Sequence, residues 1–360
     1  MWIADMDFQA SPEIIATLEK RVKHGVFGYP KEPPGIRDVV VDWIARRYNW
    51  QVEPEELMFL PNVAVGFNLA IQAIGKPHSG LLFQPPIYFP ILDVPGHAGM
   101  QARPSQLLPD KNGRYEIDFD DVKGKASDNC TAFILCNPHN PVGRVFNRKE
   151  LESLADICLE NNLYICSDEI HADFVYDGLP HIPIASLDPE IAQHTITLIA
   201  PNKSFNVAGI SCAIAVAKNP QLRRKMETAK RGLVPKVGIM SYAVTQAAYT
   251  YGQEWFRELT AYLQGNRDFL HKSIKAQLPG ISMSPVEGTY LAWLDCRGLK
   301  LEQNPHEFFL NKARVGLNDG ARFGQGGDGF VRLNFATQRT NIAEAISRMR
   351  TALLSPGDIA

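Results

Sequence analysis

Three short apolar runs, each breaking into a residue with its own chemistry, constrain this chain more than any other feature. Thr131-Ala132-Phe133-Ile134-Leu135-Cys136 leads into Asn137-Pro138-His139-Asn140-Pro141-Val142-Gly143. Leu163-Tyr164-Ile165-Cys166 leads into Ser167-Asp168-Glu169-Ile170, and Thr195-Ile196-Thr197-Leu198-Ile199 into Ala200-Pro201-Asn202-Lys203-Ser204-Phe205-Asn206. Brief, β-rich and apolar, such runs predict strands buried on both faces. They alternate with helical patterns: Ile36 to Tyr48 reads as an amphipathic helix, Val65 to Ile74 as a buried one, Gly80 to Phe83 as a strand and Arg148 to Asn161 as a crossover helix. The predicted architecture is α/β, a mostly parallel central sheet with helices on both faces. Ligands of such sheets bind at the C-terminal ends of the strands, where Asn140, Asp168 and Lys203 all arrive.

An amide, a carboxylate and an amine at one sheet edge suit a ligand that is at once a phenol, a pyridine and an aldehyde. Pyridoxal 5'-phosphate carries all three groups: the amine condenses with the aldehyde, the carboxylate pairs with the ring nitrogen, and the amide donates to the phenolate. A lysine by itself would read as a surface residue. The strand ahead of Lys203 and its pairing with Asn140 and Asp168 argue for chemistry instead. Where Asn62-Val63-Ala64 opens the helix through Phe67, free backbone N–H groups are placed to hold a phosphate. Beyond the long helical stretch from Gln253 to Ala276 the pattern changes to a strand pair, Ile281 to Ser284 and Thr289 to Leu294, then helix, strand and a last helix from Asn341 to Leu353. That change predicts a smaller α+β domain at the C-terminus.

The ordered series Asn140, Asp168, Lys203, with Arg332 in Val331-Arg332-Leu333-Asn334-Phe335-Ala336, resembles the fold type I, aspartate aminotransferase-like enzymes over nearly the whole chain. A narrower resemblance rests on Trp2-Ile3-Ala4-Asp5-Met6-Asp7-Phe8, Phe27-Gly28-Tyr29, Pro86-Ile87-Tyr88-Phe89-Pro90 and Asp168-Glu169-Ile170-His171. It points to the cystathionine β-lyase and cysteine-S-conjugate β-lyase branch that includes the maltose-regulon modulator. The resemblance implies a large cofactor-binding domain over residues 30–255 and a small domain over 256–360, joined by the N-terminal segment 1–29. Relatives carry a further segment ahead of the Trp-Ile-Ala-Asp-Met-Asp-Phe stretch.

Roles for single residues follow from the same resemblance. Lys203 would carry the cofactor and remove the substrate's Cα proton, Asp168 would keep the pyridine nitrogen protonated, and Tyr88 would stack on the ring. Asn140 would donate to the phenolate; His171 would either hydrogen-bond near the cofactor or only fill space. The phosphate would rest on the N–H groups of Val63 and Ala64. Relatives place serine or threonine where this chain has Ala200, so Asn202 or Ser204 would take over that contact. Tyr29 would reach the phosphate of a neighbouring subunit, making the enzyme a homodimer with shared sites. Arg332 would clamp the α-carboxylate of an amino-acid substrate, with Asn140 and Ile3 completing that subsite. The implied activity is β-elimination from L-cystathionine or another cysteine S-conjugate to thiol, pyruvate and ammonia. An aminotransferase would use nearly the same residues, and a cofactor-binding regulator is a third reading.

Bulk composition removes other classes. A formal charge of -2 with 21% charged residues provides no field for nucleic acid or an anionic membrane. Six cysteines without CxxC spacing read as free buried thiols of a reducing, cytoplasmic setting, and no apolar run approaches a membrane span. The histidines lack metal-ligand spacing, so no metal is expected. Gly324-Gln325-Gly326-Gly327-Asp328-Gly329 matches a dinucleotide fingerprint by letter, but it precedes a strand, Phe330 to Phe335, and reads as a turn. Glu169 should point away from Asp168, as neighbours at a strand end do. Arg223-Arg224-Lys225 and Lys230-Arg231 read as the solvated face of a helix.

Overall fold

The computed structural model describes residues 1–126, 129–210 and 212–354. Its main sheet has seven strands: β1 (Leu57–Leu60), β2 (Gly80–Phe83), β3 (Gln101–Pro104), β4 (Cys130–Cys136), β5 (Tyr164–Asp168), β6 (Thr195–Ile199) and β7 (Ala213–Val216). Their order across the sheet is β1-β7-β6-β5-β4-β2-β3, and β7 alone runs against the rest. Alternate residues of each central strand enter different cores. Leu81, Ile134, Cys166 and Leu198 pack on one face against Phe67 and Ile71 of helix α1 (Val63–Ile74). Leu82, Phe133, Leu135 and Ile165 pack on the other against Leu151 and Leu154 of helix α2 (Arg148–Glu160). Both faces are covered, which is why the strands read as unbroken apolar runs.

Helix α1 starts two residues before the stretch expected from hydrophobicity, because Asn62 caps it: its Oδ1 accepts the Val65 N–H at 2.8 Å. At α2, Asn147 and Glu150 form a reciprocal capping box, at 3.1 and 2.8 Å. Helix α3 (Gln253–Gln277) continues without a break through residue 255, where the sequence pattern places the domain junction.

Beyond α3 lies an antiparallel sheet of β8 (Ser282–Met283), β9 (Leu291–Asp295), β10 (Asn318–Asp319) and β11 (Phe330–Asn334), ordered β8-β9-β11-β10 and followed by helix α4 (Arg339–Leu354). Residues 355–360 of the expected small domain lie outside the described residues. The second strand of the expected pair starts later than Thr289. That residue has φ 69°, and its Oγ1 accepts the Leu291 N–H at 3.1 Å, so it belongs to the turn.

The N-terminal segment is laid on β11. Asn334 donates from its backbone to Met1 O at 3.0 Å and from Nδ2 to Ile3 O and Asp5 O, both at 2.6 Å, while Asp7 N reaches Ala336 O at 3.0 Å. The glycine-rich run is a turn ahead of β11, as expected. One of its glycines serves close backbone approach: a Cβ on Gly327 would collide with the Gly320 carbonyl. No described helix is long and apolar enough to cross a membrane. All six cysteines are buried and unpaired.

Candidate active site

A cavity of about 420 Å³ opens at the C-terminal ends of β4, β5 and β6 and is closed on its other side by β11 and the N-terminal segment. Asp168 ends β5, in register with Cys136 of β4 and Leu198 of β6. Asn140 comes from the loop after β4. Lys203 lies on the single helical turn Pro201–Ser204 after β6, whose first residue is a proline pre-set for that position. Arg332 reaches in from β11, opposite Trp293 of β9 and Asn318 of β10. All four side chains line the one cavity.

Their electrostatics follow from burial. The Asp168 carboxyl is 3% exposed, and burial raises it from 3.8 to about 7; among the described residues only the Ile170 N–H donates to it, at 3.2 Å. Burial, reinforced by the Arg332 charge, lowers the Lys203 ammonium from 10.5 to about 8. Lys203 Nζ donates to the Ala4 carbonyl, which also accepts from Tyr290 Oη at 2.9 Å. Arg332, lowered by burial to about 10, remains a cation at neutral pH. It donates through Nη1 to Asn140 Oδ1 at 3.0 Å and through Nη2 to Trp2 O at 3.1 Å, and each terminal nitrogen keeps a second N–H. Since the Asn140 oxygen faces Arg332, its amide nitrogen is left as the donor for a ligand.

Tyr88, His171, Val63, Ala64, Asn202 and Ile3 line the same cavity. Burial holds the Tyr88 phenol above its usual range. His171 is pushed well below its ordinary value by burial and by the Lys203 and Arg332 charges, so it is neutral. Its Nδ1 has no hydrogen-bond partner among the described residues, and its ring stands edge-on to Tyr290 with centroids 5.6 Å apart. With Val65 capped by Asn62, the N–H groups of Val63 and Ala64 are the ones α1 leaves without an intrahelical acceptor.

Two expectations resolve differently. Ser204 is not at the cavity: it is fully buried and donates to Asp173, because a step along a helical turn swings a side chain away from its predecessor. Asn202 does face the cavity, although its Oδ1 accepts the Cys212 N–H at 3.3 Å, leaving only the amide nitrogen to donate outward. Tyr29 does not line its own chain's cavity and is fully exposed. As expected, Glu169 turns away from Asp168, accepting from Ser167 Oγ at 2.8 Å and pairing with His181 Nε2 at 2.7 Å. No cluster of metal-ligating side chains occurs among the described residues.

Sequence reasoning missed Trp2, Phe89, Cys136, Asn318 and Arg322 in the cavity wall. Trp2 and Phe89 stand within motifs already singled out. Arg322, beside the glycine-rich run, carries no local signal.

Pyridoxal phosphate fits this donor set. A buried carboxylate raised to about 7 lacks a cationic N–H partner, a lysine lowered to about 8 offers an amine, and a helix start offers two free N–H groups to a phosphate.

Comparison with known proteins gives the same picture. Residues 4–349 match the family described as aminotransferase class I and II. The cystathionine β-lyase PatB of Bacillus subtilis (strain 168) is 36% identical over 359 residues, covering 98% of this chain and 92% of that protein. The cystathionine β-lyase of Corynebacterium glutamicum is 32% identical over 353 residues, covering 98% and 93%. Cystalysin from Treponema denticola, whose crystal structure contains a pyridoxal 5'-phosphate cofactor, superposes with a TM-score of 0.95 at 30% identity, covering 99% of this chain and 91% of that one.

Proposed function

The chain belongs to the aminotransferase class I and II family, and on that premise we propose how it works as a pyridoxal 5'-phosphate-dependent carbon–sulfur β-lyase. The reaction converts an S-substituted L-cysteine, such as L-cystathionine, and water into a thiol, pyruvate and ammonia. The observation that carries this reading is the convergence of Lys203, Asp168, Asn140 and Arg332 on one cavity, in a chain whose full-length relatives include cystathionine β-lyases. The cofactor, when bound, supplies an electron sink for the bond broken at Cα.

The chain's own groups do the rest. Asp168 would hold a proton on the pyridine nitrogen, and that charge pairing would relieve the cost of its burial. Asn140 donates to the phenolate while its oxygen holds Arg332, so one amide registers cofactor and substrate together. Tyr88 would lie against the ring. The N–H groups of Val63 and Ala64, with the Asn202 amide, would hold the phosphate. Arg332 receives the α-carboxylate, and Ile3 closes that end of the cavity. With the cofactor bound, the free amine of Lys203 would be the group to take the Cα proton. With its ordinary value pulled down to about 8, it can both accept and return a proton near neutral pH. His171, kept neutral, adds no charge beside it. Two copies share their sites, Tyr29 of each reaching the phosphate bound by the other, in the cytoplasm.

An aminotransferase would need the same groups up to the loss of the Cα proton, so the test is the fate of the cofactor. Protein loaded with pyridoxal phosphate is given L-cystathionine without any added keto acid. Continuous release of thiol and pyruvate in equal amounts over many turnovers is expected. A single burst that resumes only when a keto acid is supplied would replace the lyase reading with the aminotransferase one.

A further inference from the structure

We propose that Arg322 selects substrates whose sulfur substituent carries a second anionic group. This rests on the lyase reading and extends it to the far end of the substrate. Arg332 already serves the α-carboxylate, yet the cavity wall holds a second guanidinium, on the turn Gly320–Phe323. Arg322 makes no ion pair among the described residues, whereas ten other arginines do. Exposed to solvent and lining a ligand cavity, this guanidinium is free to meet an anionic group of the ligand.

Aromatic packing sets its position. The Arg322 guanidinium lies 4.4 Å from the centroid of Phe89, and that of Arg332 lies 5.0 Å from the centroid of Phe323. The two rings meet edge to face with centroids 6.0 Å apart. The two guanidiniums are therefore seated on one aromatic pair, which fixes how far apart they sit. The glycine-rich run that follows Arg322 packs close to the loops after β2 and β3, with Gly324 near Leu92 and Pro85 and Gly326 near Gln106 and Pro86. The turn carrying Arg322 is thus held at the mouth. A substrate anchored at Arg332 by one carboxylate and extended through Cβ and sulfur would present its substituent to that mouth.

The test compares S-(2-carboxyethyl)-L-cysteine with its neutral isostere S-(2-carbamoylethyl)-L-cysteine and the cationic S-(2-aminoethyl)-L-cysteine on the cofactor-loaded enzyme. The wild-type chain should favour the carboxyethyl over the carbamoyl compound about tenfold or more in kcat/KM, mainly through KM. Arg322→Gln should bring that ratio near unity, and Arg322→Glu should shift preference toward the aminoethyl compound. Equal changes for all three substrates, or no preference in the wild-type chain, would overturn the proposal. Calorimetric affinities for the same compounds read the preference whether or not the carbon–sulfur bond breaks. Selective binding without thiol release would therefore sink the lyase reading and leave the role of Arg322 standing.

Discussion

At the scale of single residues, this site is built from groups that destabilise the chain holding them. Lys203 illustrates the sign. Its folded value, about 8, lies below the ordinary 10.5, so the folded chain binds that proton less tightly than the unfolded chain does. The penalty is complete below about pH 8 and fades as pH rises toward about 10.5. Lys203→Met in the cofactor-free protein should therefore raise stability near neutral pH by about 1–2 kcal/mol, less than the full shift implies because the lysine still meets the open cavity. The gain should shrink in alkaline buffer, and turnover should be abolished. Urea unfolding at the two pH values measures it. An unchanged or lowered stability would mean that the bond from Lys203 to the Ala4 carbonyl outweighs burial. Asp168 follows the mirror rule: raised to about 7, its carboxylate is disfavoured above that value and relieved as pH falls toward 3.8.

At the scale of elements, the start of α1 does two jobs at once. Asn62 satisfies the Val65 N–H and thereby aims the preceding two N–H groups, those of Val63 and Ala64, at the cavity. Asn62→Ala should cost about 1 kcal/mol of stability, the usual loss for an N-cap. It should also weaken affinity for pyridoxal phosphate. Asn147→Ala, at the cap of α2 and away from the cavity, should cost a similar amount of stability with no change in cofactor affinity. Measured together by urea unfolding and cofactor titration, the pair separates anchoring from general loosening. Equal effects on affinity would remove the phosphate role from the α1 terminus.

At the scale of the whole molecule, the N-terminal segment ties the small sheet to the cavity. Residues 1–7 bond along β11, and the carbonyls of Trp2 and Ala4 hold Arg332 and Lys203. Farther along, Val22, Val26, Phe27 and Tyr29 are exposed side chains of one stretch, a surface suited to a second copy. If Tyr29 acts across that interface, a chain carrying Tyr29→Ala and one carrying Lys203→Ala should rescue each other. The hybrid dimer contains one site with Lys203 from the first chain and Tyr29 from the second. Random mixing after unfolding and refolding together should restore about a quarter of wild-type activity at limiting cofactor. No recovery above the separate variants would confine Tyr29 to a role within its own chain.

Local pattern was enough to place the strands, the helices between them and the three residues at the sheet edge. A strand covered on both faces must be apolar throughout, and the chain leaving its C-terminal end passes where ligands bind. The start of α1 was less legible, since a capping asparagine extends a helix past its hydrophobic stripe. Tertiary structure alone decided the rest. Arg332 meets Asn140 across 192 residues of sequence, and the Lys203 amine finds its acceptor 199 residues away at Ala4. Ser204 and Lys203 are neighbours in sequence, yet only Lys203 faces the cavity, because Asp173 takes the serine on the other side of the turn. Arg322 reaches the cavity wall only because the turn Gly320–Phe323 is packed against Phe89 from a distant stretch of chain. Strand and helix patterns repeat over a few residues and can be read from one stretch of chain. The direction in which a turn residue points is set by what packs against it from elsewhere.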